Sequence, residues 1–189
     1  RRIIAHLASA AFRVQTTPQS AVTDEMLAFY TAGSRNGGFE TGIQQALARI
    51  LVDPRFLYRV EADRPDLAAG ALYRISDEEL ASRLSFFLWS SIPDATLRQL
   101  AQQKKLHEPK ELEKQVRRML ADPRADSLTE NFAGQWLHLR ELDNAQPLDR
   151  GFDDGLKQAM LQETQMLFAS VVRENRNIVD RLDMDYTFL

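Results

Sequence analysis

Cysteine is absent from the 189 residues. Its absence excludes disulfides, thiolate metal sites, cysteine nucleophiles and covalent haem attachment within this chain, and leaves the redox compartment open. Long hydrophobic runs are missing too. None approaches the ~18 apolar residues of a membrane-spanning helix, and no signal-peptide pattern is present. An excess of basic charge is also lacking. Lys and Arg number 24 against 27 Asp and Glu, a formal net charge of −3, so no nucleic-acid partner is expected. Histidine is scarce. His6, His107 and His138 stand apart, in neither H-x-x-x-H nor H-E-x-x-H spacing, so no metal site is read. No segment alternates as a strand does.

What is present is ordinary globular composition, 44% hydrophobic and 27% charged, arranged in helical periods. The chain reads as all-α, an irregular bundle of about seven to eight helices. Its hub is residues 76–91, SDEELASRLSFFLWSS. Ser76 and Glu79 form a capping box, and Asp77, Glu78 and Glu79 complement the helix dipole. Leu80, Leu84, Phe87, Leu88 and Ser91 share one face, and residues 86–89 are apolar all round, which predicts burial on every side. Pro93 ends the run.

Around that hub the expected order is as follows. Ile3, Leu7, Ala10, Ala11 and Val14 make a first helical face. Thr23 caps a second helix carrying Met26, Leu27, Phe29 and Tyr30. Residues 33–38, with three glycines, read as a loop. A third helix carries Ile43, Leu47, Ile50 and Leu51 and stops at Pro54. Phe56, Leu57, Tyr58 and Val60 are expected to pack. Asp94 caps a short helix with Leu97 and Leu100, and Pro109 opens one with Leu112, Val116, Met119 and Leu120 on one face. Glu113 stands four before Arg117. Ser127 and Glu130 read as a second capping box, before Leu128, Phe132, Trp136 and Leu139. Residues 144–151 are a turn-rich link. A long helix from about Asp153 to Glu174 turns Leu156, Met160, Leu167, Phe168 and Val171 inward, and a short turn covers 178–182. The domain reading is a small unit, 1–62, a linker, 63–71, and a larger unit, 72–189. The chain is expected to be a piece of a longer protein. There is also an internal echo: residues 22–27 resemble 75–80, and 50–55 resemble 119–124, shared capping and termination chemistry or a duplicated unit.

No catalytic, cofactor-binding or metal site is assigned, and the chain is not read as an enzyme on its own. Candidate chemistry is limited. Glu163 falls between Met160 and Leu167 in the apolar stripe of the last helix, so it needs a partner. Arg83 is the first choice, with Arg117, Arg118 and Arg140 as alternatives. It reads as a buried ion pair or as a general acid or base. His138 sits at the edge of an apolar face as a hydrogen-bonded histidine or a ligand. Asp180, Asp183 and Asp185 cluster without the pattern of a calcium loop. Trp89 and Trp136 are core or pocket lining. Ser9, Ser85 and Ser170 stand in no nucleophile elbow, and the 33–38 glycines follow no strand, as a phosphate cradle would require.

The motifs ISDEELASRLSFFLWSSIPD, VRRMLADPRA, FAGQWLHLREL, QETQMLF and DMDYTFL occur in that order. Together they resemble an uncharacterised helical domain of planctomycete-type exported proteins. The preceding AFRV, TDEML and ALARILVDPRFLYRVE resemble the small domain that comes just before it. The resemblance implies a larger exported parent protein, periplasmic or at the cell surface, with c-type haem in other domains and a redox role. It implies no cofactor, reaction or site residue for this chain. It leaves three expectations: a non-catalytic structural or interaction module whose partners are other domains of the parent; part of an oxidoreductase or electron-transfer site completed elsewhere; or a carbohydrate- or ligand-binding module. The oligomeric state is not read.

Overall fold

A computed structural model describes residues 1–59, 66–68, 70–145, 152–181 and 185–188. Among them every regular element is helical: α1 (Arg2–Phe12), α2 (Ala21–Leu51), α3 (Pro54–Leu57), α4 (Asp77–Trp89), α5 (Ala95–Gln102), α6 (Pro109–Leu120), α7 (Gly134–Trp136) and α8 (Asp154–Arg173), with short 3-10 and π turns. The all-α expectation is met. Two compact units form: Arg1–Arg83 with Ile92–His107, and Leu84–Ser91 with Glu108–Leu189. This grouping differs from the sequence division into 1–62 and 72–189, because residues 72–83 and 92–107 group with the first unit. The backbone N–H of Leu106 donates to Asp77 in the first turn of α4 at 2.7 Å. Of the expected linker 63–71, residues 63–65 and 69 lie outside the described residues.

In the first unit α1 packs on α2. Ile4, Ala8, Phe12, Met26, Ala46 and Ile50 form the buried cluster, flanked by Leu7, Ala11, Val22, Leu27 and Tyr30. The inward face of α1 is therefore Ile4, Ala5, Ala8 and Phe12, one step round the wheel from the expected face. Ile3 and Val14 are exposed. The helix stops at Arg13, which turns left-handed with φ 61°. Ser20, not Thr23, caps α2. Thr23 is buried and donates its hydroxyl to the Thr17 carbonyl at 2.7 Å.

The glycine loop expected over 33–38 shrinks to a break at Gly37 and Gly38, and Ser34, Arg35 and Asn36 are helical. Gly38 has φ 72° and ψ −160°, a region open in practice only to glycine. The two arms of α2 fold back closely: a Cβ on Gly42 would stand 2.9 Å from the Tyr30 carbonyl, and one on Gly33 2.8 Å from that of Thr41. Tyr30 and Phe39 meet edge-on at 6.2 Å. After Pro54 the chain starts α3 instead of dangling, but Phe56, Leu57 and Tyr58 stay exposed, contrary to expectation. Val60 lies outside the described residues.

The capping box of α4 is present. Ser76 N–H donates to Glu79 at 2.7 Å and Glu79 N–H to the Ser76 hydroxyl at 3.1 Å. The buried stripe of this helix is Asp77, Ala81, Ser85, Leu88 and Trp89, while Phe87 is 54% exposed. The hub is thus half right: Leu88 and Trp89 are buried, and Phe87 is not. Asp94 caps α5, accepting from Leu97 N–H at 2.9 Å, and Pro109 opens α6.

In the second unit Leu88, Trp89, Met119, Leu128, Ala133, Phe168 and Val171 are buried. Ser127 is helical with no capping bond and begins a π turn, Leu128–Ala133, so the second capping box is not formed. Its hydroxyl donates backward to the Arg124 carbonyl at 2.5 Å. The extra residue per turn rotates Phe132 and Trp136 outward. Asp153 caps α8, accepting from Leu156 N–H at 2.8 Å. Only the last turns of α8, Phe168 to Val171, are buried, and Leu156 and Met160 are exposed. The link 146–151 and Leu182 lie outside the described residues; Ile178–Arg181 forms the expected turn.

Candidate functional site

The charged groups are spent first on two matching latches. In the first unit Asp53 caps α3, accepting from Arg55 N–H at 2.9 Å, while Arg55 Nε and a terminal nitrogen grip the same carboxylate at 2.7 and 2.6 Å. In the second, Asp122 accepts from Arg124 N–H at 2.9 Å, and the Arg124 side chain grips it at 2.9 and 2.7 Å. Each guanidinium lies over an aromatic ring that ends an earlier helix, Arg55 over Phe12 at 4.5 Å and Arg124 over Trp89 at 3.5 Å. The proline between them supplies the fixed φ that starts a new turn, and planar guanidinium both forks a carboxylate and stacks. The sequence echo of 50–55 and 119–124 is therefore one local device used twice. Hydrogen bonds from Arg55 hold the Asp53 carboxyl well below its usual range against the opposing effect of burial, and Asp53 in turn pushes Arg55 up. Arg124 holds Asp122 down at about 2.

The remaining candidates are structural in their surroundings. Half-buried Glu163 accepts from the Thr187 hydroxyl instead of an arginine. His138 is exposed, left-handed at φ 56°, and 2.9 Å from Glu141, not at the edge of a helix's apolar face. Ser9 donates to the Thr16 carbonyl at 3.1 Å and Ser170 to that of Leu167 at 2.9 Å. Ser85 is buried. Asp183 lies outside the described residues, and Asp185 is exposed. One pairing escaped the sequence. Buried Asp77 meets His107 Nδ1 at 2.5 Å, across thirty positions that no motif links. Among the described residues no three His, Cys, Asp or Glu side chains gather as a metal site requires, and no helix is long and apolar enough to cross a membrane.

The first unit holds a cleft of about 720 Å³ lined by Arg13, Arg55, Tyr58, Arg59, Glu79 and Arg83, among others. Two of its arginines serve the fold. Arg13 donates to the carbonyls of Arg55 at 2.6 Å and Tyr58 at 2.8 Å, and burial, aided by the charge of Arg59, lowers its pKa. Arg55 is held by Asp53 and by Glu25 at 2.8 Å.

An aromatic surface that hydropathy assigns to the core lies in the second unit. Phe132 stacks on Trp136 with ring centres 5.7 Å apart and planes at 29°, and Phe87 meets Phe132 edge-on at 5.5 Å. Phe132 is 41% and Trp136 52% exposed, whereas Trp89, its Nε1 donating to the Met119 carbonyl at 2.9 Å, is 2% exposed. Phe168 anchors the platform from within, 6.3 Å from Phe132. The Asn131 side-chain amide donates to the Ser90 hydroxyl at 2.8 Å, and its Oδ1 accepts from Arg140 at 3.5 Å. The i, i+4 spacing of Phe132 and Trp136 was visible in the sequence but reads there as core.

Comparison with known proteins gives two family models. One, described as PSD4, protein of unknown function (DUF1592), matches residues 75–189. The other, described as PSD5, protein of unknown function (DUF1595), matches residues 1–61. No curated protein and no solved structure matches the chain.

Proposed function

Since the chain belongs to the PSD4 family, we propose that it is a non-catalytic helical module of a larger exported, haem-containing redox protein, oriented against other domains of that protein. The observation that carries this reading is how the reactive side chains are used. Asp53, Asp122, Asp77, Glu79 and Glu163 each serve a cap, a latch or a hydrogen bond between distant segments. A scaffold needs rigid helix ends and register, and these residues supply them. The exported location and the haem rest on the motif resemblance alone. The test is made in the parent protein. Glu163→Gln and His107→Asn should leave its redox turnover unchanged, whereas removal of turnover by either variant in a folded protein refutes the reading. A second reading, a ligand-binding module, is favoured by one feature, the exposed aromatic platform.

A further inference from the structure

We propose that Asn36 is a site of self-modification: its side chain closes a succinimide with the Gly37 nitrogen at the break of α2, and opening of that ring to isoaspartate loosens the two arms of the helix.

Sequence and fold select this residue together. Asparagine stands at 36, 131, 144, 175 and 177, and only Asn36 is followed by glycine; Phe, Ala, Arg and Ile follow the others. A residue without a Cβ leaves its backbone nitrogen unshielded. The fold requires glycine at 37, because a Cβ there would collide with the side chain of Thr41, whose hydroxyl donates to the Gly37 carbonyl at 3.0 Å. Asn36 and Gly37 are both exposed, so water and base reach them. Among the described residues none holds the Asn36 amide, whereas the Asn131 amide donates to Ser90 at 2.8 Å and Asn177 accepts from Val179 N–H at 3.0 Å.

Position in the helix decides whether the ring can close. Within a continuous helix the backbone holds the next nitrogen away from the side-chain carbonyl. Asn36 is the last residue of its arm with helical dihedrals: Gly37 has φ −153° and ψ 18°, and Gly38 has φ 72° and ψ −160°. A helix end frays at little cost, so Asn36 turns its ψ without disrupting a turn beyond it. The Gly37 nitrogen, giving its proton to base, then attacks Asn36 Cγ. The new C–N bond forms as the Cγ–Nδ2 bond breaks, and ammonia leaves with a proton. Water opens the succinimide at either carbonyl. Opening at Cγ leaves aspartate; opening at the backbone carbonyl leaves isoaspartate, whose main chain runs through Cβ and Cγ. The net change is water in and ammonia out, with NH2 replaced by OH.

Both products act on the arms. A carboxylate at residue 36 stands at the C-terminal end of the first arm, where the helix dipole is already negative. Isoaspartate in addition lengthens the main chain by a methylene in a reversal made by Gly37 and Gly38. The arms on either side pack too closely to absorb a shift, since a Cβ on Gly33 would stand 2.8 Å from the Thr41 carbonyl.

The test incubates the 189-residue chain in mildly alkaline buffer over days, followed by peptide mapping with mass spectrometry. Asn36 should lose its amide at least about tenfold faster than any other asparagine, as a mixture of aspartate and isoaspartate, and at a rate within about tenfold of that in urea. Asn36→Gln should abolish this early change. An Asn36 that keeps its amide in the folded chain while losing it in urea overturns the proposal, because the fold then protects the site. The isoaspartate form, separated by anion exchange on its added charge, should melt below both the parent chain and Asn36→Asp by circular dichroism. Melting together with Asn36→Asp overturns the loosening of the arms.

Discussion

At the scale of single residues, the instructive pair is Asp53 and Asp122. Both carry the same bonds from an arginine two residues on, yet Asp53 is 1% exposed and Asp122 is half-buried. A buried carboxylate that loses its charge forfeits more, because no water replaces the lost bonds. Asp53→Asn keeps the cap and loses the charge-assisted grip of Arg55. It should cost about 2 kcal/mol in urea denaturation at pH 7, with some screening at the exposed end of Arg55. Asp122→Asn should cost less. The pH dependence has a definite sign. Both carboxyls titrate below their unfolded values, so their contribution is complete above about pH 4. It is lost as pH falls, through about 2 for Asp122 and lower for Asp53. Stability measured from pH 5 down to pH 2 should therefore fall less steeply in Asp53→Asn than in the parent chain, and parallel curves would count against the latch.

Helices and turns show what the sequence can and cannot specify. Termini were legible where the chemistry is local: the Ser76–Glu79 box, the Asp94 cap and the stops at Pro54 and Pro93 depend on residues within four positions. Faces were less legible. The inward stripe of α4 includes Asp77, Ala81 and Ser85, which hydropathy cannot choose, and the partners of Asp77 are Leu106 and His107, some thirty residues away. The π turn defeated the second capping box and the burial of Phe132 and Trp136, because a change of period moves every later side chain. No motif marked the aromatic platform; only its i, i+4 spacing was visible. Glycines carry a sharper test. A Cβ at Gly42 would stand 2.8 Å from the Tyr30 ring and 2.9 Å from its carbonyl, while one at Gly134, in helical backbone, meets nothing within 4 Å. Gly42→Ala should thus destabilise the chain by about 1–3 kcal/mol through forced separation of the α2 arms. Gly134→Ala should stabilise it by about 0.4–1 kcal/mol by restricting the unfolded chain. Thermal melts of the two variants should move in opposite directions.

For the whole molecule, the question is whether two compact units unfold as one. Each has its own buried apolar residues and its own Asp-Pro-Arg latch. Both tryptophans, Trp89 and Trp136, belong to the second unit, and the first contains none. Trp emission therefore follows the second unit alone, while far-UV circular dichroism follows helices in both. Helix α4 is the element the units hold in common, its first turns in one and its last in the other. If the units unfold independently, weakening the first latch should act locally. Asp53→Asn should lower the urea midpoint seen by circular dichroism and leave the Trp-reported midpoint in place, with the two probes no longer superimposed. Asp122→Asn should do the reverse, shifting Trp emission first, since Arg124 then loses its hold over the Trp89 ring. Coincident transitions by both probes in both variants would mean that the chain folds as one cooperative body. The contrast is decisive because the tryptophan readout is confined to one unit by the sequence itself and needs no added label.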